Sequence, residues 1–109
     1  MTLTFGPVTT TGEQAVIPDE YQLGTMLRRG HPDAPPASAW AEVFWDGVKV
    51  GVLERVDWLQ LNPRDTYSTY WFRSNSGATQ IAGRGRDDVL RRVEVVLTEF
   101  ANGLVSVAH

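Results

Sequence analysis

The dipeptide Asp46-Gly47 constrains the fold of this chain more than any other feature of its sequence. It separates two runs, 40–45 and 48–53, in which apolar residues alternate along the chain. Alternation with a period of two is typical of β-strands, and Asp-Gly suits a type I′ turn because both of its central residues need positive φ. The pattern therefore predicts a β-hairpin with a two-residue turn.

A two-residue turn fixes which residues face each other across the predicted hairpin. One side is expected to be entirely apolar and to face the core, pairing Trp45 with Val48, Val43 with Val50 and Ala41 with Val52. The other side is expected to be mixed, pairing Phe44 with Lys49, Glu42 with Gly51 and Trp40 with Leu53. This second side needs a cover, which either the chain itself or a partner supplies.

A second hairpin is predicted further along the chain. Residues 66–73 are rich in β-branched and aromatic side chains, residues 78–82 form a shorter strand, and Ser, Asn and Gly in 74–77 suit the turn between them. Residues 58–63, which end in Asn-Pro, are interpreted as the end of a strand that runs into a loop.

The clearest helical pattern lies near the C-terminus. Apolar side chains recur at helical spacing and form one stripe, which consists of Val89, Leu90, Val93, Val96, Leu97 and Phe100. Asp87 is expected to be the N-cap, and Asn102-Gly103 is expected to end the helix.

Together these patterns predict a two-layer α+β fold, in which a four-stranded antiparallel sheet made of two hairpins packs on the C-terminal helix. The length of 109 residues suits a single domain. Residues 38–109 are expected to form its core. Residues 1–37 are expected to form an N-terminal arm, with a short strand at Leu3–Phe5, a short helix at 18–30 and a Pro-rich connector.

The composition excludes several kinds of chemistry. The chain has no cysteine, which excludes disulfides and thiolate metal ligands, and its only histidines are His31 and His109. No apolar run approaches the roughly 20 residues of a membrane span, and no signal-peptide pattern opens the chain. We therefore expect a soluble, cytoplasmic protein that uses no cofactor and no metal.

The sequence offers no catalytic group of residues. A nucleophile needs a base beside it, and the only internal histidine, His31, lies in a Pro-rich segment. The acidic residues are either scattered along predicted strands or placed at the start of the predicted helix, where they stabilise it. We therefore do not expect an enzyme.

A locally basic stretch is the basis for one binding hypothesis. Between residues 66 and 86 the chain carries Arg73, Arg84 and Arg86 and no acidic residue, and Tyr70 lies among them. Arginines that hold phosphates beside rings that stack on bases bind single-stranded nucleic acid. The net charge of −3 weighs against this hypothesis, and the residues around Arg84 also suit an ordinary connection between a strand and a helix.

The mixed side of the first hairpin is the basis for the leading hypothesis. Aromatic and aliphatic side chains beside charged ones are typical of the centre and rim of a protein interface. The candidate partner-binding residues are Trp40, Phe44, Lys49, Leu53 and Trp71. The alternative covers for this side are the N-terminal arm and a second copy of the chain in a homodimer, and no membrane partner is expected.

Three segments, 42–53, 70–72 and 85–90, resemble small accessory proteins of actinobacteriophages and high-GC mobile elements. The resemblance covers about residues 40–100. The resemblance points to no named family and transfers no functional residue. The lack of catalytic groups and the surplus of aromatic surface favour a small non-enzymatic protein-interaction module, and the resemblance suggests that it is a phage accessory protein acting on a host or phage protein. The alternatives are a nucleic-acid-binding protein that uses the Arg and aromatic residues, and a structural homo-oligomer or virion component.

Overall fold

The computed structural model describes residues 2–17 and 34–101, with side chains as far as Thr98. These residues form one mostly antiparallel sheet and one C-terminal helix, so the predicted α+β class is confirmed. The elements are β1 (Leu3–Phe5), β2 (Thr9–Thr10), β3 (Ala15–Ile17), β4 (Ala39–Trp45), β5 (Val48–Leu61), β6 (Arg64–Ser74), β7 (Gln80–Gly83) and α1 (Arg86–Ala101). In this part of the chain the sheet has seven strands rather than the predicted four. The short helix predicted at 18–30 lies outside the described residues.

The central strands β4 to β7 follow one another as an antiparallel meander. Both residues of the β4–β5 turn have positive φ, 50° at Asp46 and 82° at Gly47, as the predicted turn requires. The predicted hairpin between β6 and β7 is also present, and the Ser74 N–H donates to the Thr79 carbonyl at 2.9 Å where its turn begins.

Residues 58–61 form the end of β5, as predicted, and the predicted loop after them is a two-residue turn that leads directly into β6. β5 and β6 then pair along the whole length of β6. In this extension Trp58 lies opposite Tyr67, with ring centroids 6.3 Å apart and planes 18° from parallel. A cross-strand aromatic pair of this kind stabilises a ribbon of two strands.

The predicted register of the first hairpin holds only for the two pairs nearest its turn. Beyond them the register shifts by one residue, and Val43 lies opposite Gly51 rather than Val50. The remaining pairs are displaced in the same way, with Glu42 opposite Val52, Ala41 opposite Leu53 and Trp40 opposite Glu54. Gly51 gives a physical reason, because a Cβ atom there would lie 2.2 Å from the Arg73 carbonyl oxygen. A glycine within a strand commonly marks such a close approach and irregular pairing.

One face of the meander carries the helix and is called the α1 face below. The core cluster on this face consists of Val43, Val50, Leu53, Phe72, Val89, Val93 and Leu97. Trp45 packs against the cluster, as predicted. Val48 directly follows the turn and is 63% exposed, so the prediction that it faces the core was wrong.

Helix α1 begins at Arg86, so its N-cap is Gly85, whose carbonyl accepts the Val89 N–H at 3.1 Å. The prediction of Asp87 as the N-cap was therefore wrong by two residues. Asp87 and Asp88 lie in the first turn instead, where negative charge stabilises the helix dipole.

The predicted apolar stripe of α1 is the face that packs on the sheet. Val89, Val93 and Leu97 are almost fully buried, and each contributes about 1.5–3 kcal/mol by burial. Leu90 is partly buried against the same cluster. The Phe100 side chain and the end predicted at residues 102–103 lie outside the described part. Within that part, α1 is not long and apolar enough to cross a membrane.

The N-terminal strands widen the sheet. β1 and β2 pair with β4, and β3 pairs in parallel with residues 58–60 of β5, far from the β4–β5 turn. Ser38 joins these elements where β5 changes neighbours, since its hydroxyl donates to the Glu13 carbonyl at 2.5 Å and accepts the Asp57 N–H at 2.8 Å. Its own N–H donates to the Arg55 carbonyl at 2.8 Å. The described part of the arm therefore extends the edge of the sheet next to β4 and β5.

The distal half of β6 forms an edge of the sheet. β7 ends at Gly83, opposite Tyr70. Among the described residues, residues 64–69 of β6 therefore pair with β5 on one side and have no strand on the other. On this stretch the Thr66 N–H donates to the Asp65 carboxylate at 2.8 Å.

Candidate binding cleft at the start of α1

Helix α1 covers only one end of the α1 face, and a cleft of about 190 Å³ opens beside its first turn. We call it the Arg86 cleft. It is lined by Phe5, Val8, Ala39, Trp40, Ala41, Leu53, Arg55, Tyr70 and Arg86. These residues come from β1, β4, β5, β6, α1 and the segment between β1 and β2.

The register of the sheet assembles the floor of the Arg86 cleft. Ala41 lies opposite Leu53, Ala39 lies opposite Arg55, and Arg55 in turn lies opposite Tyr70. Ala39 and Ala41, at alternate positions of β4 and therefore on one face, leave space that larger side chains would fill. The cleft therefore exists because small side chains meet the end of the sheet that α1 does not reach.

Arg55 forms a fixed wall of the cleft. Its Nε lies 3.0 Å from Asp57 Oδ1, and its Nη2 donates to Asp57 Oδ2 at 3.3 Å. The Ser68 hydroxyl also donates to the Asp57 carboxylate, at 2.7 Å. The Arg55 guanidinium is thus neutralised and held in place by a carboxylate that is itself anchored.

Arg86 forms the opposite wall and is held much less firmly. Its guanidinium lies over the Phe5 ring, 5.2 Å from the ring centroid, in a cation–π contact. Its carboxylate neighbour is Asp87, 3.5 Å away, whose side chain is 98% exposed. Ion pairs this exposed are weak because water screens them. Arg86 is therefore the cation of the cleft that is available to a ligand.

Arg84 lies on the other face of the sheet, away from the cleft. Its guanidinium is 4.5 Å from the centroid of the Tyr67 ring, which stacks on Trp58. Burial raises the pKa of Tyr67 above its usual value, Arg84 opposes this rise, and Asp65 adds to it. The Trp58 indole N–H donates to the Thr69 hydroxyl at 2.8 Å, which fixes the stack.

The four residues of the nucleic-acid hypothesis do not form one patch. Tyr70 and Arg86 line the cleft on the α1 face. Arg84 lies over Tyr67, and Arg73 is paired with Glu54 at 3.5 Å, both on the opposite face. A single strand of nucleic acid lying on one face would therefore meet only part of this set.

The five predicted partner-binding residues are also divided. Trp40 and Leu53 both line the Arg86 cleft, although they are not cross-strand neighbours as the predicted register required. Phe44 and Lys49 lie opposite each other near the β4–β5 turn, where Lys49 pairs with Glu42 at 3.6 Å. Trp40 lies opposite Glu54, which lies opposite Trp71, so the register places Trp40 on the face away from α1 and Leu53 on the α1 face.

Trp71, the fifth predicted residue, lies on the face away from α1 and is only 6% exposed. Its indole N–H donates to the Thr69 hydroxyl at 3.1 Å. Val56 and Thr69 on the same face are 1% and 2% exposed. The centre of this face is therefore closed to solvent.

Five residues of the cleft were missed as site residues by sequence reasoning: Phe5, Val8, Ala39, Ala41 and Arg55. Phe5 and Arg86 are far apart in the chain, and only the pairing of β1 with β4 brings them together. The available signal was Phe5-Gly-Pro-Val8, in which two apolar residues flank a turn and cannot both be buried by one short strand. Among residues 2–17 and 34–101, no group of three or more acidic or His side chains is placed to hold a metal ion.

Comparisons of the chain with protein-family models, curated proteins and solved structures give no match. Any argument about function therefore starts from the residues of the structure itself.

Proposed function

We propose that this protein is a small non-enzymatic protein-interaction module, and that its Arg86 cleft receives one apolar side chain of a partner protein. The observation that carries the proposal is the size of the cleft. Pockets for cofactors and small-molecule ligands usually measure roughly 300–1,000 Å³. At about 190 Å³ the Arg86 cleft is smaller than this range and suits a single large side chain.

The rim of the cleft supports the same function. Phe5 is 37% exposed and Val8 is 68% exposed, so apolar surface continues outward from the cavity. Aromatic side chains and arginine around a pocket are typical of interface hot spots. A stable interface buries roughly 800 Å² on each partner, so the partner is expected to cover this rim as well as fill the cavity.

The other functions proposed from the sequence are less well supported by this geometry. The arginines and Tyr70 of the nucleic-acid hypothesis are divided between two faces. A homo-oligomer or virion component would use the same apolar rim, with a second copy of the chain as the partner. The role as a phage accessory protein acting in the cytoplasm on a host or phage protein remains a prediction from the resemblance.

The proposal is tested by placing a charge at the rim of the cleft. Val8→Glu introduces a carboxylate at the rim, and Val48→Glu is a matched control because Val48 is 63% exposed and does not line the cleft. Each variant and the wild type are immobilised and exposed to lysate of the organism that encodes the chain, and bound proteins are quantified by mass spectrometry.

We expect at least one protein to be recovered by the wild type and by Val48→Glu, and to be lost with Val8→Glu. Recovery of the same proteins by all three chains would contradict the proposal. The solution mass of the wild type, measured in parallel, separates a foreign partner from a second copy of the chain.

A further inference from the structure

The charges around the Arg86 cleft indicate which kind of protein segment it binds. This inference rests on the proposed function and specifies the partner. We propose that the cleft binds an acidic segment, in which the apolar side chain that fills the cavity is flanked by a carboxylate that pairs with Arg86.

The lining of the cleft carries one cation that no anchored carboxylate neutralises, and that cation is Arg86. The lining contains two arginines and no Asp or Glu, although the chain as a whole has a net charge of −3. At physiological salt, charges more than about 8 Å apart are largely screened, so a ligand responds to nearby groups rather than to the net charge. Among these, Asp57 neutralises Arg55 from 3.0 Å, whereas the Asp87 carboxylate, 3.5 Å from Arg86, is 98% exposed. Arg86 is therefore the group of the cleft that favours an anionic ligand.

The two arginines are expected to contribute differently. Arg55 is bound by Asp57 through two nitrogen–oxygen contacts of 3.0 and 3.3 Å, and Ser68 anchors that carboxylate. A ligand carboxylate would have to displace this network to reach Arg55. Arg86 has only the 3.5 Å contact with the almost fully exposed Asp87. We therefore assign the binding of the ligand carboxylate to Arg86.

The floor of the cleft indicates which ligand side chain fills the cavity. Ala39, Ala41 and Leu53 are each less than 9% exposed and offer no charged group. Phe5 also lines the cleft, and the Arg86 guanidinium lies over its ring. A ligand residue with an aromatic or large aliphatic side chain therefore fills the cavity, and an adjacent acidic residue reaches the guanidinium.

The experiment uses capped five-residue peptides and amide NMR spectra of the full chain. Acetyl-EEFEE-amide carries both features, acetyl-QQFQQ-amide lacks the charge, and acetyl-EEAEE-amide lacks the large side chain. A short oligothymidylate supplies negative charge from phosphates instead. Arg86→Gln tests the assigned residue, and Arg84→Gln is the matched control because Arg84 lies on the other face.

We expect acetyl-EEFEE-amide to shift the amides of Ala39, Ala41 and Tyr70 in a saturable way. Binding should weaken about fivefold in Arg86→Gln, the size expected for one half-exposed charge pair, and should not change in Arg84→Gln. Acetyl-QQFQQ-amide should bind to the wild type about fivefold more weakly than acetyl-EEFEE-amide does, since it lacks the carboxylate that pairs with Arg86. Acetyl-EEAEE-amide should give no saturable shifts, and higher salt should weaken the acidic peptide alone.

Equal binding of the acidic and neutral Phe peptides would overturn the acidic assignment and leave the proposed function intact. Absence of saturable shifts with both Phe peptides at millimolar concentration would overturn the assignment of a peptide ligand to the cleft. If, in addition, Val8→Glu recovers the same proteins as the wild type, the proposed function fails too. Shifts of the same amides by the oligothymidylate but not by the peptides would replace the peptide with nucleic acid.

Discussion

The two ends of the α1 face differ in how they are covered and in which residues they carry. Under the helix, β-branched and large aliphatic side chains such as Val43 and Val50 meet Val93 and Leu97 and are at most 4% exposed. At the other end, which α1 leaves uncovered at its N-terminus, lies the Arg86 cleft. Its floor includes Ala39 and Ala41, and arginine and tyrosine side chains line it as well.

This difference shows which end serves stability and which is available for binding. Side chains that fill the space beneath a helix leave nothing for a ligand, whereas small side chains at the uncovered end leave a cavity. A stable core and an available cavity therefore adjoin on one face. The following predictions test that division, from the largest expected effect to the smallest.

The largest effect is expected in the covered end. Leu97→Ala removes a side chain that is 2% exposed, and the cavity it leaves should lower the free energy of unfolding by about 3 kcal/mol. Val95→Ala on the same helix is the control, since Val95 is 52% exposed and the change should stay within about 0.5 kcal/mol. Urea unfolding followed by tryptophan fluorescence measures both. A loss of similar size in the two variants would show that α1 does not pack as described.

A smaller effect is expected where the uncovered end is anchored to the N-terminal strands. Ser38→Ala removes the hydroxyl that binds the Asp57 N–H and the Glu13 carbonyl, and Ser38 is 1% exposed. Leaving these groups without their partner should cost about 2 kcal/mol. The exposed Thr10→Ala in β2 provides a comparison in the same unfolding experiment. Equal stability of the two variants would remove Ser38 as the joint between β4, β3 and β5.

The smallest effect lies on the face away from α1 and appears only at alkaline pH. Burial raises the pKa of Tyr67, so the folded chain keeps its phenol proton at a pH where the unfolded chain loses it. The resulting stability is fully present below the unfolded pKa of about 10 and is lost as pH rises through the folded pKa. Tyr67→Phe should therefore show a shallower loss of stability above that pH than the wild type. An identical alkaline slope would show that Tyr67 is not shielded.

Much of the fold could be predicted because local patterns determine it. Asp46-Gly47 set the first turn, the helical stripe set the buried side of α1, and Leu3–Phe5 was expected to form a strand. The register shift could not be derived from turn chemistry alone. It depends on the contact between Gly51 and the Arg73 carbonyl, which involves a third strand.

Two further strands could not be recognised because their own residues do not alternate. β2 and β3 are two and three residues long, and their pairing with β4 and β5 defines them. The Arg86 cleft was missed for a related reason. Its existence depends on where α1 stops covering the sheet, and its walls, Phe5 and Arg86, are brought together by tertiary structure alone.

The carboxylate of Asp65 affects the tendency of copies of this chain to associate through the edge of the sheet at high concentration. The Ser74 N–H points toward β7, and alternation along the strand turns the Thr66 N–H to the same side, where β7 no longer runs. An unpaired backbone N–H at the edge of a sheet can pair with a strand of another chain, which then extends the sheet. Asp65 occupies that donor from within its own strand and adds a negative charge beside it, which disfavours fibril-like stacking of copies through this margin.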